Sequence, residues 1–151
     1  FDHPAIGQQT SAIDLVNGDF DSDIADARTF GFLADVEALQ RQGLALGGGL
    51  NNAIVLDDAG VRNAQGLRFS DEFARHKLLD AIGDIYLAGC PVIGEYSGDC
   101  AGHALNNALL HKLYATPDAW QVVDIYSDIA APRREKQSLF ASDAQRAVEL
   151  A

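Results

Sequence analysis

Basic residues are scarce in this sequence. Its 151 residues include 11 lysines and arginines against 22 aspartates and glutamates, which gives a formal net charge of −11. Proteins that bind nucleic acid or anionic membranes in general need a basic surface to attract phosphate groups. The composition therefore argues against both classes of function, although a locally positive pocket could still hold a small anionic substrate.

Long hydrophobic segments are missing as well. A helix needs roughly 20 apolar residues to cross a bilayer, whereas the best candidates here, 44–46 and 53–56, are interrupted by glycine, asparagine or aspartate. No signal peptide is visible. A chain whose first residue is Phe1 and not methionine is expected to have been cut from a longer one.

Cysteine is limited to Cys90 and Cys100, and their spacing is not that of a C-x-x-C motif. Two cysteines in this arrangement are typical of reduced thiols in a cytosolic protein. We therefore expect a cytoplasmic protein that has no membrane span and no nucleic-acid partner.

Apolar residues, by contrast, are sufficient for one folded domain. They make up 48% of the chain, and the charged residues, at 22%, are interspersed among them. This composition and length favour a globular domain with a real core over a disordered chain.

The order of predicted elements indicates the fold class. Periodicity and stop signals predict helices over 34–42, 70–88 and 104–114, and short apolar segments predict extended chain at 1–6, 12–16, 29–32, 52–56, 91–96 and 120–126. Because helices and strands are mixed without regular alternation, we predict an α+β fold, a two-layer α/β sandwich with a small strand–helix–strand insert at about 32–56. The domain is predicted to span 1–130, and 131–151 to form a tail with a short helix at 142–150.

The predicted helix over 70–88 carries a polar stripe. His76, Asp80 and Asp84 follow one another at intervals of four residues, so they lie on one face of the helix. An imidazole and a carboxylate one turn apart can share an ion and form part of a zinc site. The alternative is a solvated polar face or a surface His–Asp pair. Two ligands also do not complete a catalytic zinc site, which usually has three from the protein.

Two further residues are candidates for chemistry. His103 follows Gly102 at the start of the next helix, where an imidazole can act as an acid, a base or a partner for an oxyanion. Asp84 is the candidate for a carboxylate beside it. Thr29 offers a hydroxyl at the beginning of an apolar segment. Taken singly, His103 could be structural and Thr29 an ordinary residue at the end of a strand.

Taken together, these segments resemble the bacterial UDP-3-O-acyl-N-acetylglucosamine deacetylases, zinc enzymes of lipid A synthesis. The resemblance covers about residues 1–110, and its most specific elements are His-Lys-x-x-Asp at 76–80 and Gly-His-x-Leu-Asn at 102–106. The matching segments occur in family order, at 1–6, 27–32, 42–48, 52–58, 67–69, 71–73, 75–84 and 102–107.

The resemblance implies a two-domain enzyme in which this chain is the second domain and the first is absent. The strand–helix–strand insert would form a hydrophobic passage for the acyl chain of the substrate. Its candidate lining residues are Val36, Leu50, Ala53 and Val55. For each of them, an ordinary place in the core remains the alternative.

The resemblance also assigns a metal site that is shared between the two domains. His76 and Asp80 match two of the three zinc ligands. The third ligand, a histidine, and the general-base glutamate would lie in the first domain. The fragment alone is therefore expected to have little or no activity.

The remaining site residues follow from the same resemblance. His103 matches the catalytic histidine that stabilises the oxyanion and protonates the leaving amine, and Asp84 matches the carboxylate that orients it. Thr29 matches a hydroxyl that helps to polarise the amide carbonyl. Phe30 and Lys77 match residues near the nucleotide-sugar.

The implied function is removal of the N-acetyl group from a UDP-linked acyl-glucosamine. The alternative is a non-catalytic module that binds the acyl chain, the nucleotide-sugar or a protein partner. One position departs from the family pattern: Cys100 occupies a place where members often carry a lysine or arginine that contacts the diphosphate. The tail matches no part of the family.

Overall fold

The computed structural model describes residues 3–124. The chain divides into two compact units, Phe1–Ala115 and Thr116–Ala151. Within the described residues of the second unit, Pro117–Ala119 forms a short 3₁₀ turn. The predicted tail helix at 142–150, the tail boundary near 130 and the end of the strand predicted at 120–126 lie outside the described residues and stay predictions.

In the described part of the first unit, a mixed three-stranded sheet is combined with three α-helices and a short π-helical turn, Asp21–Ala25. The strands are β1 (Thr29–Phe32), β2 (Ala53–Asp57) and β3 (Gly60–Val61), and the helices are α1 (Leu33–Arg41), α2 (Glu72–Ile85) and α3 (His103–Tyr114). β2 lies in the centre, with β1 parallel and β3 antiparallel to it. The predicted α+β class is confirmed, and a strand–helix–strand unit is present as β1–α1–β2.

The core forms where α2 packs against one face of the sheet. Ile54 and Leu56 alternate along β2 toward this face and are fully buried. Phe73 of α2 and Ile6 from the N-terminal segment are buried beside them. Alternating side chains of a strand point to opposite faces, so Ala53 and Val55 lie on the other face. The core therefore fixes α2 at its N-terminal end, directly before His76.

The helices predicted at 34–42, 70–88 and 104–114 are confirmed to within a few residues. α2 continues into a 3₁₀ turn, Tyr86–Ala88, and Gly89 follows in the left-handed region with a φ of 76°. Glycine adopts this conformation without a Cβ penalty and commonly ends a helix. Among the described residues, no helix is long and apolar enough to span a bilayer.

The two strands predicted near the N-terminus are wrong over the described residues. The segment after His3 closes into a turn, because the amides of Ile6 and Gly7 donate hydrogen bonds to the His3 carbonyl. In the predicted strand 12–16, the Asp14 carboxylate accepts hydrogen bonds from the Val16 and Asn17 amides. Such local side-chain bonds compete with the pairing of a strand.

The strand predicted at 91–96 is wrong too, and residues 120–124 contain no strand. Val92 and Ile93 are 50% and 74% exposed, so their apolar side chains do not face a core in the described part of the chain. An apolar β-branched run becomes a strand only where a neighbouring strand is placed to pair with it. Here the segment serves as a loop that leads Tyr96 back toward α3.

Candidate active site

Helix α2 presents the polar stripe that its spacing predicts. His76 and Asp80 lie one turn apart, with 3.4 Å between His76 Nε2 and Asp80 Oδ1. Their side chains are only 17% and 12% exposed, so this is not the fully solvated face that was the alternative. Asp80 Oδ2 accepts a hydrogen bond from Lys77 Nζ at 2.9 Å. The other oxygen of Asp80 is thereby left to face the imidazole.

The orientation of the His76 ring is set by the backbone before β1. His76 Nδ1 lies 3.2 Å from the carbonyl oxygen of Ala27. A carbonyl oxygen can only accept, so this contact requires a hydrogen on Nδ1. In the neutral ring the lone pair is then on Nε2, the atom that faces Asp80. Histidines that bind metals are generally held in this way by a hydrogen bond at the second ring nitrogen.

His103 joins the same group of side chains from the first residue of α3. Its Nδ1 lies 2.8 and 3.0 Å from the two carboxylate oxygens of Asp84, and its Nε2 lies 3.9 Å from Asp80 Oδ1. The contact expected between His103 and Asp84 is therefore present. The His103 side chain is 69% exposed, so it remains accessible to a molecule in the cleft.

The carboxyl group of Asp84 is held in its charged form. A hydrogen bond from Asn106 lowers the pKa of Asp84 most, burial opposes this effect, and the contacts with His103 and Lys77 lower the pKa further. Asp84 is thus a carboxylate at neutral pH and accepts the hydrogen of His103 Nδ1.

These side chains lie at a cleft of about 310 Å³. Its walls are formed by β1, the first turn of α1, α2 and the start of α3, and its described lining residues are Thr29, Phe30, Gly31, Phe32, Asp35, His76, Lys77, Asp80 and His103. Six predicted site residues, all except Asp84 and the acyl-passage candidates, line this cleft. The structure brings Thr29 and Phe30 to the same opening as His76, Asp80 and His103. Lys77 lines it as well.

Phe30 and Lys77 are also in contact with one another. Lys77 Nζ lies 5.6 Å from the centre of the Phe30 ring, within the range of a cation–π interaction. The edge-to-face contact between Phe30 and Phe73, with 5.0 Å between the ring centroids, fixes the Phe30 ring against the core. The cleft therefore has one apolar wall that packs directly against the core.

The four candidates for an acyl passage are not among the described lining residues of this cleft. Val36, Ala53 and Val55 are partly buried, and Ala53 and Val55 lie on the face of the sheet opposite the core. Val36 Cγ2 would lie 3.4 Å from a Cβ at Gly31, which places Val36 on β1. Leu50 precedes β2 and is 51% exposed. The lining of an acyl passage by these residues stays a prediction.

Asp35 was missed by the sequence reasoning. It is in the first turn of α1 and lines the cleft beside Phe32. A carboxylate in the first turn of a helix is ordinary because it interacts favourably with the helix dipole, so its type and position carried no functional signal. Only the packing of α1 beside β1 reveals its place.

A buried ion pair, also missed, connects β1 to α2. Both Arg28 Nε and Arg28 Nη2 donate to the Glu72 carboxylate, at 2.8 and 3.1 Å, and the backbone amides of Arg28 and Arg68 donate to it as well. The two side chains are 6% and 0% exposed. Glu72 begins α2, and Arg28 lies between Ala27 and Thr29. The pair thus holds the backbone that contacts His76 and lines the cleft.

The same hydrogen bonds decide the charge of Glu72. Burial by itself raises the pKa of this carboxyl group, but the bonds from the Arg28 side chain and from the Arg28 and Arg68 amides outweigh it, so the pKa lies below its ordinary value of 4.5. A carboxyl group whose pKa is lowered by folding contributes stability above its unfolded pKa and loses that contribution as the pH falls through its folded pKa.

We therefore expect a characteristic acid dependence of stability. The free energy of unfolding should change little between pH 7 and about 5 and then fall as the pH drops below 4.5, because Glu72 and Asp84 both have lowered pKa values. Urea denaturation followed by far-ultraviolet circular dichroism at several pH values measures this. Asp14→Asn is the control and should leave this acid dependence nearly unchanged, because Asp14 is fully exposed and solvent weakens the interactions that lower its pKa. Undiminished stability at pH 3 would contradict the expectation.

The donor set is compatible with a tetrahedral zinc ion. Two donors bound to such an ion at 2.0–2.2 Å lie roughly 3.3–3.6 Å apart, and His76 Nε2 and Asp80 Oδ1 are 3.4 Å apart. A neutral imidazole and a carboxylate are also common zinc ligands. Among residues 3–124, no three histidine, cysteine, aspartate or glutamate side chains form a group that could hold an ion together.

The fold and this cluster define the protein as an α+β domain that carries a histidine–carboxylate site at the mouth of a cleft. The chain belongs to the LpxC family, described as UDP-3-O-acyl N-acetylglycosamine deacetylase, whose model matches residues 1–115. The family resemblance of the sequence is thereby confirmed.

Two curated relatives are both named UDP-3-O-acyl-N-acetylglucosamine deacetylase. The chain is 54% identical over 134 residues to the protein of Acidithiobacillus ferrooxidans and 51% identical over 134 residues to that of Pseudomonas entomophila. Each match covers 87% of this chain and 44% of the relative. The chain thus spans less than half the length of the curated relatives it matches.

Proposed function

We propose that this chain is the second domain of a zinc-dependent enzyme that removes the N-acetyl group from a UDP-3-O-acyl-N-acetylglucosamine in lipid A synthesis. The observation that carries the proposal is the convergence of His76, Asp80 and His103 on one cleft in a chain of this family. The substrate is taken from the names of the relatives. A cytoplasmic location is part of the same proposal.

His76 and Asp80 would hold the zinc ion. The Ala27 carbonyl supports this role because it leaves His76 Nε2 free to bind, and Lys77 supports it because it occupies the other oxygen of Asp80. When bound, zinc supplies Lewis-acid chemistry, which lowers the pKa of a coordinated water toward about 7. A catalytic zinc site usually has three protein ligands, so the third is assigned to a first domain, which would also provide the general base.

In its protonated, imidazolium form, His103 would donate its Nε2 hydrogen to the oxyanion and then deliver that proton to the leaving amine. Asp84 holds the hydrogen of Nδ1 with both carboxylate oxygens, and Nε2 is the ring nitrogen left to act in the cleft. A positioned hydrogen-bond donor at a developing oxyanion is worth about 10²–10³ in rate. The hydroxyl of Thr29, at the same opening, would donate a hydrogen bond to the carbonyl oxygen of the acetyl group.

Lys77 and Phe30 would bind the nucleotide-sugar. Among the described lining residues of the cleft, Lys77 is the only lysine or arginine, so it is the group that can attract a diphosphate in a chain of net charge −11. The Phe30 ring, fixed on the core, offers an apolar surface to the sugar. Val36, Leu50, Ala53 and Val55 remain the proposed residues for the acyl chain, and Ala53 and Val55 lie on the face of the sheet opposite the core.

A split site, with its zinc ligands divided between two domains, predicts that the chain alone turns over little or no substrate. Two protein ligands should hold zinc weakly, and the general base is assigned to the first domain. Activity of the chain should therefore be at least about 100-fold below that of the complete protein, since loss of even an outer partner of a zinc ligand costs 10–100-fold. Acetate release from the UDP-linked substrate measures it.

Three samples distinguish the split site from a non-catalytic binding module. The chain is assayed alone, after addition of the separately produced first domain, and as part of the complete protein, each with one equivalent of zinc. Recovery of turnover on addition of the first domain supports the split site. Full activity of the chain by itself would refute it, and substrate binding without turnover by the complete protein would favour the non-catalytic binding module.

A further inference from the structure

A chain of hydrogen bonds extends beyond Asp84 into the interior. Asn106 Nδ2 donates to Asp84 Oδ2 at 2.8 Å, and the Tyr96 hydroxyl donates to Asn106 Oδ1 at 2.7 Å. Asn106 is 2% exposed and lies one turn after His103 on α3. The order of contacts is therefore Tyr96, Asn106, Asp84 and His103.

The direction of these hydrogen bonds is determined by the chemistry of the partners. The Asp84 carboxylate can only accept, so the NH₂ group of Asn106 must face it and the amide oxygen must face Tyr96. The phenol of Tyr96 is then the donor. Burial, and secondarily the negative charge of Asp84, raises the pKa of Tyr96, so its hydroxyl keeps the proton that this bond needs.

The loop before α3 is built to hold the Tyr96 ring in this place. A Cβ at Gly98 would lie 2.5 Å from the Tyr96 hydroxyl oxygen, 3.0 Å from Tyr96 Cζ and 2.9 Å from Ala101 Cβ. No side chain fits there without moving the ring. The absence of a side chain at 98 is thus what lets the Tyr96 hydroxyl reach Asn106.

We propose that Asn106 and Tyr96 are positioning residues for His103. Asn106 fixes the Asp84 carboxylate on the side away from the cleft, and Asp84 in turn holds Nδ1 of His103, so that Nε2 is presented to the cleft. Tyr96 fixes the Asn106 amide. The catalytic use of His103 rests on the proposed function, but the restraint on its ring does not.

Removal of the Tyr96 hydroxyl is the mildest test. In the complete protein, Tyr96→Phe should lower kcat about 3- to 10-fold, the range of one hydrogen bond. Asn106→Ala should lower kcat about 10- to 100-fold, the range found when a residue that hydrogen-bonds to a side chain of the site is removed. KM should stay within about twofold, because no substrate contact is removed. Gly98→Ala should reproduce Tyr96→Phe, since it displaces the same hydroxyl.

The matched control is Tyr114→Phe. The Tyr114 hydroxyl also donates a hydrogen bond, to the Ala88 carbonyl at 2.5 Å, but this bond does not lead to Asp84. Tyr114→Phe should leave kcat unchanged. In an Asn106→Ala background, Tyr96→Phe should cause no further loss, because Tyr96 acts through Asn106. Equal kcat values for Tyr96→Phe and Tyr114→Phe would overturn the proposal.

A second readout does not depend on activity. Nitrogen-15 NMR at a pH where the ring is neutral should show His103 mainly as the Nδ1–H tautomer, with a shift toward Nε2–H in Asn106→Ala and a smaller shift in Tyr96→Phe. His76, held by the Ala27 carbonyl, is the internal reference and should not change. If the complete protein turns over no substrate, this measurement alone decides: an unchanged His103 tautomer in Asn106→Ala overturns the proposal, and a shifted one supports it.

Discussion

His76→Ala in the complete protein should remove the bound zinc and lower kcat/KM by more than about 100-fold. Even residues that only support a zinc ligand cost 10–100-fold when they are changed, and His76 is proposed to bind the ion directly through Nε2. Zinc content by elemental mass spectrometry and acetate release from the substrate are measured on the same preparation. Asp80→Asn, which keeps the shape and removes the charge, should also lose zinc.

Two comparison variants show whether the loss of zinc and of rate is specific to His76. His111→Ala removes an exposed imidazole in the last turn of α3 and should leave both zinc and rate unchanged. His103→Ala should keep the zinc and lose about 10²–10⁴ in rate, the range for a general acid–base group. A His76→Ala protein that keeps its zinc and its rate would remove His76 from the metal site.

Glu72→Ala should destabilise the fold by roughly 3–5 kcal/mol, the cost of leaving a buried charge without its partner. Arg28 would lose the carboxylate that its Nε and one Nη atom contact, and the Arg28 and Arg68 amides would lose their acceptor. Arg28→Ala should cost a similar amount. Urea denaturation of the chain at pH 7 gives both values.

The exposed ion pair between Arg62 and Asp57 provides the control. Its charged atoms are 3.3 Å apart, but the two side chains are 57% and 25% exposed, and such pairs contribute about 0–1 kcal/mol. Arg62→Ala should therefore have little effect. In the double variant Arg28→Met/Glu72→Leu no charge is left unpaired, so its cost should be below the sum of the two alanine variants. A loss below about 1 kcal/mol for Glu72→Ala would show that the pair does not hold β1 to α2.

Local patterns predicted the helices well and the strands unevenly. The turn at Gly89 and the periodicity of α2 are contained in the sequence near each residue, because a helix bonds only to itself. The run at 91–96 has the composition of a strand, but a strand requires a partner, and Val92 and Ile93 are largely exposed in the structure. At His3 and Asp14, local hydrogen bonds close turns and thereby compete with the pairing of a strand.

For the site, sequence spacing was sufficient for residues on one helix. His76 and Asp80 share a face because they are four apart, and this needs no knowledge of the fold. The approach of His103 to Asp84, 19 residues earlier, was expected, but its geometry could come only from the packing of α3 beside α2. The family resemblance supplied the roles, which the experiments above test.

The amino-acid sequence by itself determined the helix that carries the chemistry, the family and the residue types of the site, since all three are written in local spacing and motifs. The tertiary structure alone decided which distant groups support that site. Arg28 meets Glu72 across 44 positions of sequence, and Asn106 meets Asp84 across 22. The physical reason is that the partner of a buried polar group is chosen by how helices and strands pack, and no periodicity in the chain records that choice.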